Sequence, residues 1–199
     1  MRADGGGARR LTANGDDYDP DWSTNGKQIV FAGRRGVYVI GANGRNRRLV
    51  TRATEEADPA WSPDGKLIAF SARQGSRAAI FTVRTNGKRR RRVGAAGDSG
   101  SPAWSPNGKA IAFVGTVSGR GELFVIGANG KGLRRLTHST LHHDVESPSW
   151  SPDGKWILYS YAGDDDVAVL QAVRPSGGAP RTVVAEAVPA YYPDWQPLR

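Results

Sequence analysis

Short runs of alternating apolar and polar residues recur along this chain, and each run is bounded by Gly, Pro, Asn or Asp. Within a run the apolar side chains stand two residues apart, as in Ile29 and Phe31; the corresponding pairs are Ile68 and Phe70, Ile111 and Phe113, and Ile157 and Tyr159. A period of two predicts strands with one face buried. No segment shows a sustained apolar period of about 3.6 residues, so we expect essentially no helix.

The alternating runs belong to a sequence repeat marked by tryptophan. A segment of the form Trp-Ser-Pro-Asp-Gly-Lys, with Asn for Asp or Thr for Pro in some copies, occupies residues 22–27, 61–66, 104–109 and 150–155, and Trp195 begins a fifth copy. The Trp-to-Trp steps are 39, 43, 46 and 45 residues. A period of about 40–45 residues, built of short strands and turns, is typical of one blade of a β-propeller.

Each repeat divides into four predicted strands, a to d. Strand a ends at the Trp and has Pro two residues before it, and strand b carries the alternating pair. Strand c is an apolar run such as 37–40, and an Asn-Gly dipeptide after it favours a tight hairpin into an Arg-rich strand d. The sequence therefore predicts an all-β propeller of four-stranded antiparallel blades, with four complete blades near 16–51, 55–93, 98–137 and 144–184.

The two ends predict partial terminal strands within a single domain, 1–199. Residues 4–12 resemble a strand d without its a, b and c, and residues 190–196 resemble a lone strand a. An inner and an outer strand cannot pair across a gap of two, which would leave sheet edges open to self-association. The chain is then a piece of a longer propeller, which we favour, or another chain fills the gap, or the four blades close on themselves.

Composition sets limits on the partners. The chain has 199 residues, 38% of them hydrophobic, no cysteine and a formal net charge of +9. Zero cysteine excludes disulfides and Cys-based metal sites, and no apolar run is long enough for a membrane span. The N-terminus has no apolar segment of the kind found in signal peptides.

Half of the 28 basic residues fall in the predicted c–d turns and d strands. Strand d is the outermost strand of a blade, and charge on an exposed edge prevents pairing with other chains. Nucleic-acid binding would need aromatic residues among the basic ones, and the run 88–92 has none. We therefore predict no nucleic-acid partner, although charge spread round the disc predicts a weak attraction to anionic surfaces.

Carboxylates collect at a different register of the repeat, six residues before each Trp or one position later. The loop that they occupy enters strand a, so they are expected to ring one mouth of the central channel and to accept a basic peptide segment or a cation such as Ca²⁺. The alternative is that they accept hydrogen bonds from backbone N–H groups of the loops. The six candidates are Asp16, Asp17, Glu55, Glu56, Asp98 and Asp144.

Three other groupings carry no catalytic or metal-binding prediction. The segment 97–101 looks like the nucleophile surround of chymotrypsin-like proteases, but all three histidines follow it in the chain. Those histidines, His138, His142 and His143, fit a solvated loop better than a metal site. The acidic triplet 164–166 lacks the spacing of a calcium loop. We predict no catalytic residue, no cofactor and no enzymatic activity.

The phrase Pro-x-Trp-Ser-Pro-Asp-Gly-Lys-x-Ile-x-Phe, followed by Asn-Gly and an Arg-rich strand, resembles the PD40 (WD40-like) repeat of TolB-like propellers. The resemblance covers about residues 4–195. It implies a non-catalytic module that binds a protein or extended peptide, and a periplasmic or extracellular location. The same repeats also occur in the propellers of prolyl-oligopeptidase-like peptidases and of sensor or regulatory proteins, so a fragment of either stays an alternative.

Overall fold

A computed structural model of the chain describes residues 7–13, 15–52, 57–139, 144–162 and 168–184, together with Pro193 and Trp195. Sixteen strands and no helix occur in these residues. The strands are β1 Tyr18–Trp22, β2 Gln28–Gly33, β3 Gly36–Gly41, β4 Arg48–Arg52, β5 Ala57–Trp61, β6 Leu67–Gln74, β7 Arg77–Arg84, β8 Arg91–Gly94, β9 Ser99–Trp104, β10 Ala110–Val117, β11 Arg120–Gly127, β12 Arg134–Arg135, β13 Asp144–Trp150, β14 Ile157–Ala162, β15 Ala168–Val173 and β16 Arg181–Val184.

The strands form four antiparallel sheets, and each sheet takes four strands in chain order. We call these sheets blades 1 to 4, and each contains one of the predicted repeats. The first strands of successive blades pack side by side, β1 on β5, β5 on β9 and β9 on β13. The repeat pattern thus predicted the blades and their strand order correctly, and strand a is the inner strand of each blade.

The hydrophobic core lies between the blades. One face of blade 1, including Val30 and Val39, packs against Ile68 and Phe70 of blade 2 in a single buried cluster. Similar clusters join blade 2 to blade 3 and blade 3 to blade 4. Because successive residues of a strand point to opposite faces, the alternating pair of each strand b faces the preceding blade and the residue between them faces the following one.

The repeat tryptophans hold neighbouring inner strands together. The indole nitrogen of Trp104 donates to the carbonyl of Ala60, and the indole of Trp195 donates to the carbonyl of Ser149. Trp61 is buried at the same register, whereas Trp22 is 55% exposed. The indoles of Trp104, Trp150 and Trp195 therefore bridge to the inner strand of the blade before them, whereas the buried indole nitrogen of Trp61 has no hydrogen-bond partner among the described residues.

Arginines of the outer strands form a second link between blades. Arg48 donates to the carbonyl of Thr85, which lies in the c–d turn of the next blade. The same contact recurs from Arg91 to Ala128 and from Arg134 to Pro175. The sequence predicted only an edge-protecting role for these arginines, because nothing in the Arg-rich pattern identifies a carbonyl acceptor about forty residues away.

The segment before blade 1 repeats this second link. Arg9 donates to the carbonyl of Ala42 in the c–d turn of blade 1, at 3.0 Å. Leu11 packs against the buried cluster that Ile29, Phe31, Tyr38 and Ile40 form in blade 1. It lies beside Gly44 of the c–d turn, just as Val50 of blade 1 lies beside Gly87 of the next blade. Residues 7–13 have no regular secondary structure, although this contact places them at the register of a strand d. Residues 1–6 and most of 190–196 lie outside the described residues.

Every inner strand has the same irregularity. Pairing with strand b shifts register just before the Trp, which is the signature of a β-bulge. At each bulge a non-glycine residue in front of Pro has positive φ; these residues are Asp19, Asp58, Ser101 and Ser147. Asp tolerates this left-handed conformation better than most residues. The bulge fixes where these four side chains point.

Candidate functional site: the axial cavity

The inner strands of all four blades line one cavity of about 500 Å³, which we call the axial cavity. Its walls are the residues around the repeat prolines, including Pro20, Pro59, Pro102, Pro148 and Pro193. Blades 1 and 2 contribute carboxylates, whereas blades 3 and 4 contribute serines at the same registers. The cavity therefore has one acidic side and one neutral polar side.

Two of the carboxylates at the bulge register are oriented by the next blade. An oxygen of Asp19 accepts a hydrogen bond from the backbone N–H of Asp58 at 3.2 Å. Asp58 in turn accepts from the backbone N–H of Ser101 at 3.0 Å and from its hydroxyl at 3.3 Å. The bulge residues thus form a chain of hydrogen bonds from one inner strand to the next.

The third carboxylate of the cavity, Asp21, belongs to the register directly before the Trp. Its side chain accepts from the backbone N–H of Trp61 at 2.7 Å. Asp21 and Asp19 are two residues apart in strand β1, and both contact blade 2. Backbone donors of the next blade therefore help to fix each carboxylate on the acidic side of the cavity.

The electrostatics of the cavity act on Asp58 in particular. Burial raises the pKa of the Asp58 carboxyl above its ordinary value of 3.8, and the neighbouring Asp19 adds to the increase against the opposing hydrogen bonds from Ser101. Burial and a neighbouring acid both disfavour the charged form of a carboxyl group. A cation bound in the axial cavity would favour that charged form.

The four described acids of the six predicted from the sequence, Asp16, Asp17, Asp98 and Asp144, do not line the axial cavity. Asp98 accepts from the backbone N–H of Ala78 at 2.8 Å, and Asp144 accepts from the N–H of Gly121 at 2.7 Å. Each of these acids binds the b–c hairpin of the preceding blade. This is the alternative that the sequence left open, in which the acids bond backbone groups of loops.

Asp16 and Asp17 are not part of the axial cavity either. Asp17 forms an ion pair with Arg47 at 3.1 Å, and Asp16 and Asp17 line a separate cavity beside Arg34 and Arg35. Glu55 and Glu56 lie outside the described residues. None of the described candidates lines the axial cavity, so their role at a channel mouth stays a prediction.

Sequence reasoning missed the axial carboxylates although the signal was present. Asp19 and Asp58 stand three residues before a repeat Trp, and Asp21 stands one residue before. Their register lies inside strand a, whereas the acids predicted from the sequence stand five or six residues before the Trp, at the entrance to that strand. Only the bulge, which turns the pre-proline side chain toward the neighbouring inner strand, explains why this register matters.

A buried carboxylate in blade 3 was also missed. The Glu122 side chain is 1% exposed, and it accepts from Arg135 at 2.7 Å, from the Ser139 N–H at 2.8 Å and from the Thr137 hydroxyl. Burial raises the pKa of Glu122, but these hydrogen bonds and the Arg135 charge outweigh burial and hold it below the ordinary value of 4.5. A fully bonded buried carboxylate of this kind stabilises the blade and leaves no group for chemistry.

The remaining groupings show no catalytic arrangement among the described residues. Ser99 is 3% exposed and accepts from the backbone N–H of Ala96, as expected of a structural loop serine. His142, His143 and the triplet 164–166 lie outside the described residues. No cluster of three or more His, Asp or Glu residues suited to a metal ion occurs in the part that is described. Nor does that part contain a helix able to cross a membrane.

Four consecutive four-stranded blades whose inner strands line a common cavity are typical of a β-propeller. Comparison with protein-family models identifies the family: the model of the TolB beta propeller domain (PD40) matches residues 1–99 and 33–199. The chain therefore belongs to the PD40 family of TolB β-propeller domains. Comparison with curated proteins gave no match.

Solved structures share the fold at low sequence identity. The putative TolB from Agrobacterium tumefaciens superposes with a TM-score of 0.80 at 23% identity, over 90% of this chain and 66% of that one. TolB from Acinetobacter baumannii superposes with a TM-score of 0.76 at 20% identity, over 92% of this chain and 47% of that one. An oligogalacturonate lyase in complex with manganese superposes with a TM-score of 0.67 at 13% identity, over 87% of this chain and 55% of that one. This chain thus spans about two thirds and about half of the two TolB structures.

Proposed function

We propose that this chain is a non-catalytic binding module that takes an extended, positively charged peptide segment into its axial cavity. The observation that carries the proposal is the row of inner-strand carboxylates, Asp19, Asp21 and Asp58, on one side of that cavity. Membership of the TolB propeller family supports a protein-interaction role. A periplasmic or extracellular location is part of the same proposal and rests on that membership.

The geometry suits a peptide better than a compact ligand. The cavity follows the inner strands, and its apolar surface comes from the repeat prolines, which can contact the stem of a Lys or Arg side chain. The charged end of that side chain would then lie near Asp19 and Asp58. Ser147 of blade 4 lines the same cavity and offers a hydroxyl to the peptide backbone. Loops from every blade on one rigid frame would add many modest contacts.

The test measures the affinity of a fluorescently labelled Gly/Lys peptide of about ten residues. We expect the double variant Asp19→Asn/Asp58→Asn to bind about tenfold more weakly, since two charge-assisted contacts are lost. Asn suits the positive φ of both positions, so the bulge should persist. A matched control, Asp98→Asn/Asp144→Asn, removes the same charge from the loops.

The two variants separate the axial site from the loop site predicted from the sequence. A loss confined to the axial variant supports the proposal, and a loss confined to the loop variant moves the site to the loops. Equal affinity of the wild type and the axial variant would contradict the proposal.

A propeller belonging to a larger enzyme or sensor is the second candidate. It is favoured by the likeness to the oligogalacturonate lyase fold and by the share of the TolB structures that this chain leaves uncovered. In that case the axial cavity would admit or sense a ligand for another domain. Sequencing the coding DNA on both sides decides between the two, because a Gly-x-Ser-x-Gly domain downstream would support a peptidase.

A further inference from the structure

Each blade places two turns at the same end of its sheet. The a–b turn and the c–d turn of an antiparallel meander lie together, and backbone hydrogen bonds join them here: Ala42 N–H donates to the Lys27 carbonyl at 2.9 Å, and Ala128 N–H donates to the Lys109 carbonyl at 2.9 Å. The b–c hairpins lie at the opposite end. We call the end with the paired turns the turn face.

Seven of the eight turns share one local design, Asx-Gly followed by a cation, and the exception is the c–d turn of blade 4 at 175–178. The Asx side chain accepts from the backbone N–H of the cationic residue, as Asn25 does from Lys27 and Asn43 from Arg45. The Gly between them has positive φ, so the cation leaves the turn toward solvent. Seven exposed cations follow this rule; they are Lys27, Arg45, Lys66, Lys88, Lys109, Lys131 and Lys155.

Most of these cations have no carboxylate to neutralise them. Only two of the turns contain Asp, and there Lys66 and Lys155 pair with it at 3.5 and 3.4 Å. The other five turns contain Asn, whose amide holds the turn but adds no charge. Among the described residues, these five cations form no ion pair. The turn face therefore carries an uncompensated positive charge.

The cations form one continuous surface because the turns of neighbouring blades touch. The Thr24 hydroxyl donates to the Pro63 carbonyl at 3.0 Å, which joins the a–b turns of blades 1 and 2. Arg48 and Arg91 reach the c–d turns of blades 2 and 3. An inner row of lysines from the a–b turns and an outer row from the c–d turns thus follow the disc together.

The opposite end of the blades differs in charge. Asp16, Asp17 and Asp98 lie in the loops that enter strand a at that end, and Asp144 is the first residue of β13 there. The b–c hairpins beside them carry Arg34, Arg35 and Arg77. Charges of both signs alternate there. Among the described residues, uncompensated positive charge is therefore concentrated on the turn face and the adjoining outer strands.

We propose that the turn face docks on a membrane surface that carries anionic lipid headgroups. Cations in two rows across the turn face can all contact a flat, negatively charged surface at once. A nucleic-acid duplex is a narrow cylinder and would contact only some of these cations. Among the described turns, the one aromatic residue that directly follows a turn cation is Trp156, and its ring already contacts the guanidinium groups of Arg174 and Arg181, at 4.6 and 5.1 Å. No row of aromatic rings therefore accompanies the cations for bases to stack on. Basic residues near an anionic leaflet each strengthen binding by an amount that falls off within a Debye length.

The test measures the binding of the full chain to vesicles by sedimentation, with phosphatidylglycerol-containing vesicles as the probe and phosphatidylcholine vesicles as the reference. The variant Lys27→Gln/Lys109→Gln/Lys131→Gln removes three cations whose side chains hold no described contact. We expect each loss to weaken binding about fivefold, or on the order of 100-fold in total. Binding of the wild type should also fall steeply between about 0.1 and 1 M salt, where the Debye length shrinks to about 3 Å.

The matched control is Arg34→Gln/Arg35→Gln/Arg77→Gln, which lowers the net charge equally but at the hairpin end. It should bind phosphatidylglycerol vesicles within about twofold of the wild type, since those side chains lie beyond a Debye length from the membrane. Equal losses in both variants would overturn the proposal, because net charge alone would then drive binding. So would salt-insensitive binding by the wild type, or binding to a DNA duplex that depends on the turn lysines without binding to the vesicles.

Discussion

The indole nitrogen of Trp150 donates a hydrogen bond to the backbone carbonyl of Ala103, 3.1 Å away in the inner strand of the preceding blade. Trp104 and Trp195 make the same contact one blade earlier and one blade later. The residue that marks the repeat in the sequence is therefore also a residue that joins consecutive repeats in space.

Removal of this hydrogen bond should weaken the joint between blades 3 and 4. We expect Trp150→Phe to lower the free energy of unfolding by about 1 kcal/mol beyond the effect of lost area, because the Ala103 carbonyl loses its donor. Urea denaturation measures the change. Trp22→Phe is the control, since Trp22 is 55% exposed, and it should change stability by less than about 0.5 kcal/mol. Equal effects of the two substitutions would refute a joining role for the indole.

The arginine link between outer strand and turn gives a second prediction. Arg91→Gln should cost about 0.5–1 kcal/mol of unfolding free energy, because the Ala128 carbonyl loses a charged donor at 2.7 Å. Arg92→Gln is the control one residue further on, at an exposed position of the same strand, and it should be nearly neutral. If urea midpoints shift equally for both, the arginines act only by protecting the edge.

The buried Glu122 predicts an acid-dependent stability. At neutral pH, Glu122→Gln should lower the free energy of unfolding by about 2 kcal/mol, because an amide cannot accept all the bonds that Arg135, Thr137 and Ser139 donate. The folded-state pKa of Glu122 is lowered, so its stabilisation is complete above the ordinary value of 4.5 and is lost as pH falls through the folded pKa.

Urea denaturation at pH 7 and at pH 3 measures this pH dependence. The difference in the free energy of unfolding between the wild type and Glu122→Gln should be smaller at pH 3. A difference that stays constant would mean that Glu122 acts through packing rather than through its charge.

Asp58 should behave in the opposite way. Its folded-state pKa is raised, so the protonated form favours folding below the ordinary value of 3.8, and this stabilisation is lost as pH rises through the folded pKa. Asn keeps the acceptor for Ser101 and removes the charge near Asp19. We expect Asp58→Asn to be more stable than the wild type at pH 7 and to lose that advantage below pH 3.8. Urea denaturation as a function of pH measures both, and a variant less stable at every pH would contradict the account.

The fold was predictable from the sequence because the spacing of the repeats, the alternation of apolar residues and the turn residues all indicate the same four-stranded blade. The Trp period sets the blade, alternation as in Ile68 and Phe70 sets the buried face, and the Asn-Gly dipeptides set the hairpins. Each of these signals is local, so a single sequence suffices to detect it.

The site was less predictable because it depends on contacts between repeats. Asp58 reaches the axial cavity only through a bulge and is held by Ser101, forty-three residues away. Arg91 reaches Ala128 across a blade boundary in a similar way. Counting along the chain identified Asp98 and Asp144 as a register of acids, but it could not show that backbone N–H groups of the neighbouring hairpins hold them.

The central claim, that a cationic extended peptide binds along the inner strands, is tested most directly by photo-crosslinking. A Gly/Lys peptide with a photoreactive residue at its centre is irradiated with the full chain, and the attached residues are mapped by mass spectrometry. We expect crosslinks in Tyr18–Trp22 and Ala57–Trp61, and their loss in Asp19→Asn/Asp58→Asn. Crosslinks confined to the outer strands, or to the loops around Asp98 and Asp144, would contradict the claim.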